Sequence, residues 1–244
     1  MQKTYVIGDI HGGFKALLQV LERAGVSSED TLIFLGDYVD GWSEPVEVID
    51  FLINLNNKQQ CFFIQGNHEE LLLQWLKNGD DNPLWRQHGG ESSIKAYQQV
   101  DNSTKRKHIE FFENLQPYYL DEHQRIFVHA GFSNLKGADY EYFNNFFWWD
   151  RTLWELALAT DRNLTHQHPE YPQRLCNYRE IFIGHTPTTL FGETIPMHRQ
   201  NVWNIDTGAA FEGKLTIMDV NSKQFWQSDC LSELYPDEKG RNTD

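Results

Sequence analysis

The chain opens with short apolar runs that each end in a glycine and then an oxygen-bearing side chain. Thr4–Ile7 runs into Gly8-Asp9, Thr31–Leu35 into Gly36-Asp37, and Cys61–Ile64 through Gln65 into Gly66-Asn67. Runs this short, rich in β-branched and aromatic residues, predict buried strands. Between them the period changes. Leu17, Leu18, Leu21 and Ala24 share one helical stripe, and Val46, Ile49, Leu52 and Ile53 share another. Gly25 predicts the stop of the first helix, and Pro45 the first turn of the second. Asp9 to Asp37 spans 28 residues and Asp37 to Asn67 spans 30. Each interval fits one strand–helix–strand unit, so the sheet is expected to begin parallel.

From Glu69 to Leu115 the pattern is helical and more polar, with a turn at Gly79-Asp80-Asp81-Asn82-Pro83. This predicts a helical insertion after the third strand. Strands resume at Arg125–Val128 before His129-Ala130-Gly131, at Glu180–Ile183 before Gly184-His185, and at Val202–Ile205 before Asp206. A helix is expected over Asp150–Thr160. Leu215–Met218 and Gln224–Gln227 predict an antiparallel pair around Asn221-Ser222. The reading is one domain over residues 1–228 followed by a polar tail, 229–244, expected at the surface or frayed.

Composition narrows the partners. With 21 basic and 35 acidic residues in 244, the formal charge is −14, which argues against nucleic-acid wrapping through many phosphate contacts. A phosphorylated substrate stays open, because a local metal site can reverse the local field. Cys61, Cys176 and Cys230 form no Cys-x-x-Cys pattern, so a reducing compartment is expected. The N-terminus lacks a signal-peptide layout, and no apolar run has membrane-helix length. The expectation is a cytoplasmic protein with no membrane partner and an open oligomeric state.

Ligands of α/β sheets collect beyond the carboxyl ends of the strands. Those ends carry Asp9 with His11, Asp37 with Asp40, Asn67 with His68, then His129, His185 and Asp206. Carboxylates, imidazoles and one amide suit manganese, iron or zinc, and the absence of thiolate disfavours a structural zinc site. The count assigns Asp9 and His11 to one ion, Asn67, His129 and His185 to the other, and Asp37 between them. Helix capping would account for Asp9, Asp37 and Asn67 but not for the histidines. Asp206 reads equally as a partner of a ligating histidine or a turn residue. Trp42, Phe147, Trp148 and Trp149 read as core before cleft. His88, His108, His123, His166, His168 and His198 read as surface or structural. Lys105-Arg106-Lys107-His108 reads as an exposed helix face.

Gly8-Asp9-Ile10-His11-Gly12, Gly36-Asp37-Tyr38-Val39-Asp40, Gly66-Asn67-His68-Glu69, His129-Ala130-Gly131 and Gly184-His185-Thr186 occur in that order. Over Thr4 to Met218 the chain thus resembles the calcineurin-like metallophosphoesterases. Within them it is similar to bacterial phosphoprotein phosphatases of the phage-lambda type and to symmetrical dinucleoside tetraphosphatases. The resemblance implies an α/β fold, with a central β-sandwich flanked by helices. It implies in-line attack on phosphorus by a hydroxide bridging the two ions. It makes His68 the general acid, oriented and kept protonated by Asp40, since a carboxylate beside an imidazole favours the imidazolium. It makes Arg151 a phosphate-binding arginine.

One departure stands out. The family usually reads Gly-Asp-x-Val-Asp-Arg-Gly, and here Gly41-Trp42 takes the place of Arg-Gly. A phosphate clamp is thus missing or comes from elsewhere; Arg86 is a candidate on sequence position alone, though it reads as a solvated surface arginine before a clamp. The expected activity is hydrolysis of phosphoserine or phosphothreonine in proteins or peptides. The alternative is a symmetrical dinucleoside tetraphosphate or another small phosphoester or anhydride, and a non-catalytic scaffold ranks last.

Overall fold

The computed structural model describes residues 2–80 and 82–242. In chain order the elements are β1 (Thr4–Ile7), α1 (Phe14–Ala24), β2 (Thr31–Phe34), α2 (Pro45–Asn56), β3 (Cys61–Phe63) and α3 (Asn67–Asn78). There follow α4 (Pro83–Trp85), a wide turn over Arg86–Gly90, α5 (Glu91–Gln98), α6 (Asn102–Glu113), β4 (Tyr118–Leu120) and β5 (Arg125–Val128). The remainder is α7 (Phe146–Trp149), α8 (Thr152–Ala159), β6 (Glu180–Ile183), β7 (Met197–Arg199), β8 (Val202–Asn204), β9 (Thr216–Asp219), β10 (Phe225–Gln227) and α9 (Leu231–Leu234).

The strands form two mixed sheets, ordered β10-β9-β1-β2-β3 and β4-β5-β6-β8-β7. The β1–β2 and β2–β3 pairs are parallel, as the 28- and 30-residue intervals require. The β9–β10 hairpin adds to β1 antiparallel. Side-chain alternation explains the apolar runs. Val6, Ile33, Phe127, Phe182 and Met218 point between the sheets, where Phe127 and Phe182 stack with centroids 4.8 Å apart. Their neighbours Tyr5, Ile7, Leu32, Phe34 and Ile217 face α1, α2 and the insertion. Ile126, Val128, Ile181 and Ile183 face a separate cluster that includes Leu153 and Trp154 of α8. Strands covered on both faces have no polar side to show, so their sequences are continuous rather than alternating.

Helix ends follow local chemistry. Gly25 closes α1 in the left-handed region at φ 65°, and Pro45 occupies the first turn of α2. The strands β4 and β7, three residues each, lie on sheet edges. Among the described residues no helix is long and apolar enough to cross a membrane.

The tail corrects the expectation of a surface or frayed segment. Leu231 is fully buried and Tyr235 nearly so, its ring stacked on Trp42 at 5.3 Å. The Tyr235 hydroxyl also bonds Glu44, and Glu238 accepts from both the backbone N–H and the hydroxyl of Ser43. An aromatic contact across nearly two hundred residues of separation left no local signal in a polar stretch.

Phe127→Ala should destabilise the fold by about 3–5 kcal/mol, because it empties a site packed from both sheets. Leu18→Ala, on the exposed face of α1, should stay within about 0.5 kcal/mol. Urea unfolding measures both, and equal losses would contradict the two-sheet core.

Candidate metal centre and cleft

The strand ends converge. Asp9 follows β1, Asp37 follows β2, Asn67 follows β3, His129 follows β5, His185 follows β6 and Asp206 follows β8. None is more than 8% exposed. Asp37 sits at the centre, with its two oxygens turned to different neighbours. Oδ2 lies 3.5 Å from His11 Nε2 and 4.0 Å from His68 Nε2, while Oδ1 lies 3.4 Å from His129 Nε2. His129 Nε2 is also 3.2 Å from Asn67 Oδ1 and 3.1 Å from His185 Nδ1. Ligand-competent atoms of His11, Asp37 and His68 fall within 4.8 Å of one another, as do those of Asp37, His129 and His185.

Backbone geometry aims these groups. His11, Asp37, Asp40 and His185 all have φ between 51° and 68°. The left-handed region costs a branched or charged residue free energy, and residues held there cluster at functional sites. Here Glu69 over-determines the bend after β2. Its carboxylate is 1% exposed and accepts from the N–H groups of Asp37 (2.9 Å), Tyr38 (2.7 Å) and Gly66 (2.9 Å). Its side-chain role carried no separate signal in the Asn67-His68-Glu69 motif.

Charge is the difficulty of such a site. Burial and the Asp206 and Asp37 carboxylates push Asp9 well above the usual carboxylate range. Burial likewise lifts Asp206 to about 6, against the Gly208 N–H that it accepts. Burial opposes the Asp37 charge too, yet His129, His68 and His11 outweigh it and hold Asp37 well below that range. Burial drives His11 and His185 toward neutral imidazole, the form that ligates a cation.

Three observations test the fit to divalent ions. Asp9 Oδ1 and His185 Nε2 are buried with no hydrogen-bond partner. The ring nitrogens of His129 and His185, facing each other at 3.1 Å, need a shared proton or a shared cation. A Cβ at Gly184 would fall 2.1 Å from Asp9 Oδ1, so the backbone is bare where the carboxylate must enter. The donor set fits divalent ions, and Asp37 is common to both groups of ligand-competent atoms.

The insertion supplies the second constellation. Asp40, fully buried, lies 2.6 Å from His68 Nδ1, and accepts from Trp85 Nε1 at 2.5 Å and Ser93 Oγ at 2.5 Å. Trp85 and Ser93 are more than forty residues from Asp40, so no motif spacing singled them out.

A cavity of about 360 Å³ opens over this centre, lined by Asp37, Asn67, His68, Trp85, Trp149 and Arg151 among others. Arg151 donates to Thr186 Oγ1 at 3.3 Å. Of the aromatics read as core, Trp42, Phe147 and Trp148 are buried, but Trp149 is 43% exposed and lines the cleft. His88 is exposed, as expected of a surface residue, and stands at the rim of the cleft, while His108 is buried and bonded to the Tyr97 hydroxyl. Arg86, read as a surface arginine before a substitute for the clamp at Gly41, is half-buried and lies in a groove that Gly41 also lines. It pairs with Glu91 at 2.9 Å.

Gly184→Ala should strip much of the bound metal while leaving the unfolding midpoint within a few degrees. Metal analysis beside a thermal melt checks it, and full metal content in the variant would refute the Asp9 placement.

Comparison with known proteins agrees with this geometry. The sequence model described as calcineurin-like phosphoesterase matches residues 2–203. A protein of Anoxybacillus flavithermus named asymmetrical bis(5'-nucleosyl)-tetraphosphatase PrpE is 28% identical over 234 residues, covering 87% of this chain and 88% of the relative. A protein of Bacillus velezensis with the same name is 28% identical, covering 86% of each. Among solved structures, a serine/threonine phosphatase of Saccharomyces cerevisiae superposes with TM-score 0.62 at 18% identity, covering 94% of this chain and 80% of that one. A cold-active protein-tyrosine phosphatase of a Shewanella species gives 0.60 at 15%, covering 94% and 81%. The chain belongs to the calcineurin-like phosphoesterase family, hydrolases with a binuclear divalent metal centre.

Proposed function

We propose that this chain hydrolyses a phosphoester or phosphoanhydride with two divalent ions, manganese foremost, held by Asp9, His11, Asp37, Asn67, His129 and His185. One observation carries the reading: Asp37 turns one oxygen to His11 and the other to His129, beside a histidine whose far nitrogen is held by a buried carboxylate. When bound, the ions would supply an activated water and neutralise phosphoryl charge.

The protein's own part is positioning and proton handling. Asp40, immobilised by Trp85 and Ser93, fixes the His68 ring through Nδ1. That leaves Nε2 as the atom able to give a proton to a leaving oxygen, and His68 lines the cleft where that oxygen would sit. Arg151, at the same wall, offers a planar fork suited to phosphate oxygens.

For the substrate we place a dinucleoside tetraphosphate ahead of a phosphoserine or phosphothreonine peptide, reversing the order expected from the sequence. The support is the name borne by relatives that match over nearly their whole length. An exposed Trp149 at the cleft, where a base could stack, is consistent with it. The phosphopeptide reading keeps the same chemistry and differs only in what occupies the outer cleft.

His68→Asn should lower turnover by ~10²–10⁴-fold with metal content nearly unchanged. Asp37→Asn should lower both. Loss of metal in His68→Asn would make His68 a ligand and refute its role as acid. Rates on diadenosine tetraphosphate and on a phosphothreonine peptide, each with manganese and with chelator, order the two substrates. Hydrolysis of either, read as nucleotide products from the first and phosphate from the second, that persists undiminished in chelator would contradict the metal reading itself.

A further inference from the structure

The space left by the missing arginine at position 41 is not empty. The side-chain stem of Arg241 runs through it, its Cγ 3.4 Å from where a Gly41 Cβ would stand and 2.8 Å from where a Gly89 Cβ would stand. Gly41 N–H donates to Gly89 O at 3.1 Å, so these two residues form the walls of a slot. Their φ values of 107° and 104° lie in the region that favours glycine. A side chain on either wall would crowd the arginine that threads between them.

Arg241 reaches the catalytic wall. It lines the 360 Å³ cavity together with Asn67, His68, Arg151 and His185. It also lines an adjoining recess of about 120 Å³ with His11, Arg151, His185 and Asp206. Its guanidinium carbon sits 5.5 Å from the centre of the Phe211 ring. Its Nε is buried without a hydrogen-bond partner. Among the described residues no side-chain hydrogen bond or ion pair engages the guanidinium. A half-buried, permanently charged group carrying five donors is costly to leave unmatched, and the matching group is an oxyanion.

The tail is built to deliver it. Leu231 N–H donates to Gly213 O, Tyr235 stacks on Trp42, Glu238 clamps Ser43, and Arg241 N–H donates to Ala210 O at 2.8 Å. Trp42, the second residue of the departure from the family motif, is the platform for this anchorage, and its Nε1 donates to Ala209 O at 2.7 Å. The Gly41-Trp42 departure and the packed tail are therefore one device. Position 41 gives up its side chain, and position 42 anchors the segment that supplies another.

We propose that Arg241, carried by the C-terminal segment through the Gly41–Gly89 slot, binds phosphoryl oxygens of the substrate opposite Arg151. This makes the family's clamp a tail residue in this chain. The inference rests on the phosphohydrolase reading above, and the ligand chemistry is a phosphate oxyanion whichever larger substrate bears it.

The test is calorimetric titration of manganese-loaded protein with inorganic phosphate, comparing wild type, Arg241→Ala and Arg241→Lys. Turnover of an aryl phosphate is measured alongside. Removing a charge-assisted fork should weaken phosphate binding roughly 10- to 100-fold and raise KM in parallel. Metal content and unfolding midpoint should stay unchanged. Lysine, which keeps charge but not the fork, should recover part of the loss. Equal phosphate affinity in wild type and Arg241→Ala overturns the role of Arg241 and leaves the hydrolase reading standing. Weakened binding accompanied by lost metal or a lowered midpoint overturns it as well, because the arginine would then act through the fold. A wild type that neither binds phosphate nor turns over the aryl ester overturns both.

Discussion

The structure depends on keeping charge where a core would normally exclude it. Asp9, Asp37, Glu69 and Asp206 lie almost fully buried at one edge of the sandwich, with Asp40 wholly enclosed nearby. Carboxylates gathered this way repel one another and lose their water, so each needs specific compensation. The compensations differ. Glu69 takes backbone N–H groups, Asp40 takes an imidazole, an indole and a hydroxyl, and Asp37 takes three imidazoles. Among the described residues, Asp9 takes the His185 N–H and a distant His11 ring on one oxygen, and no hydrogen bond on the other. That deficit leaves Asp9 an oxygen free to meet a cation.

The same constraint explains the backbone. Of the seven non-glycine residues with positive φ among those described, four are His11, Asp37, Asp40 and His185. Strained conformations persist only where surrounding structure over-determines them. Here the two-sheet core and Glu69 do so, fixing the turns after β1, β2 and β6 so that their side chains meet. Rigid strands thus carry the precision, and turns carry the chemistry.

The helical insertion and the tail add what the strand ends lack. Trp85 and Ser93 come from the insertion and lock Asp40, hence the His68 ring. Arg241 comes from the far end of the chain and enters through a slot whose walls are Gly41 and Gly89. A family pattern altered at one loop is accommodated by a segment some two hundred residues away, because packing requires only that the volume be filled and the charge be presented.

Much was legible before any coordinates. The strands ending at Asp9, Asp37, Asn67, His129 and His185 showed in the apolar runs to within about a residue. Their parallel start followed from intervals long enough for one helix each. The strand-end donors were legible because they sit one to four residues beyond those runs, a local relation that sequence preserves. The edge strands β4 and β7 were not legible, since three residues at a sheet edge are too few to establish a period. Only the tertiary structure decided that Trp85 and Ser93 hold Asp40, and that the stem of Arg241 stands at the Gly41 gap. These are contacts between residues far apart in the chain. Hydrophobic pattern and motif spacing report on neighbours, whereas which distant side chain fills a given space is settled by packing of the whole fold.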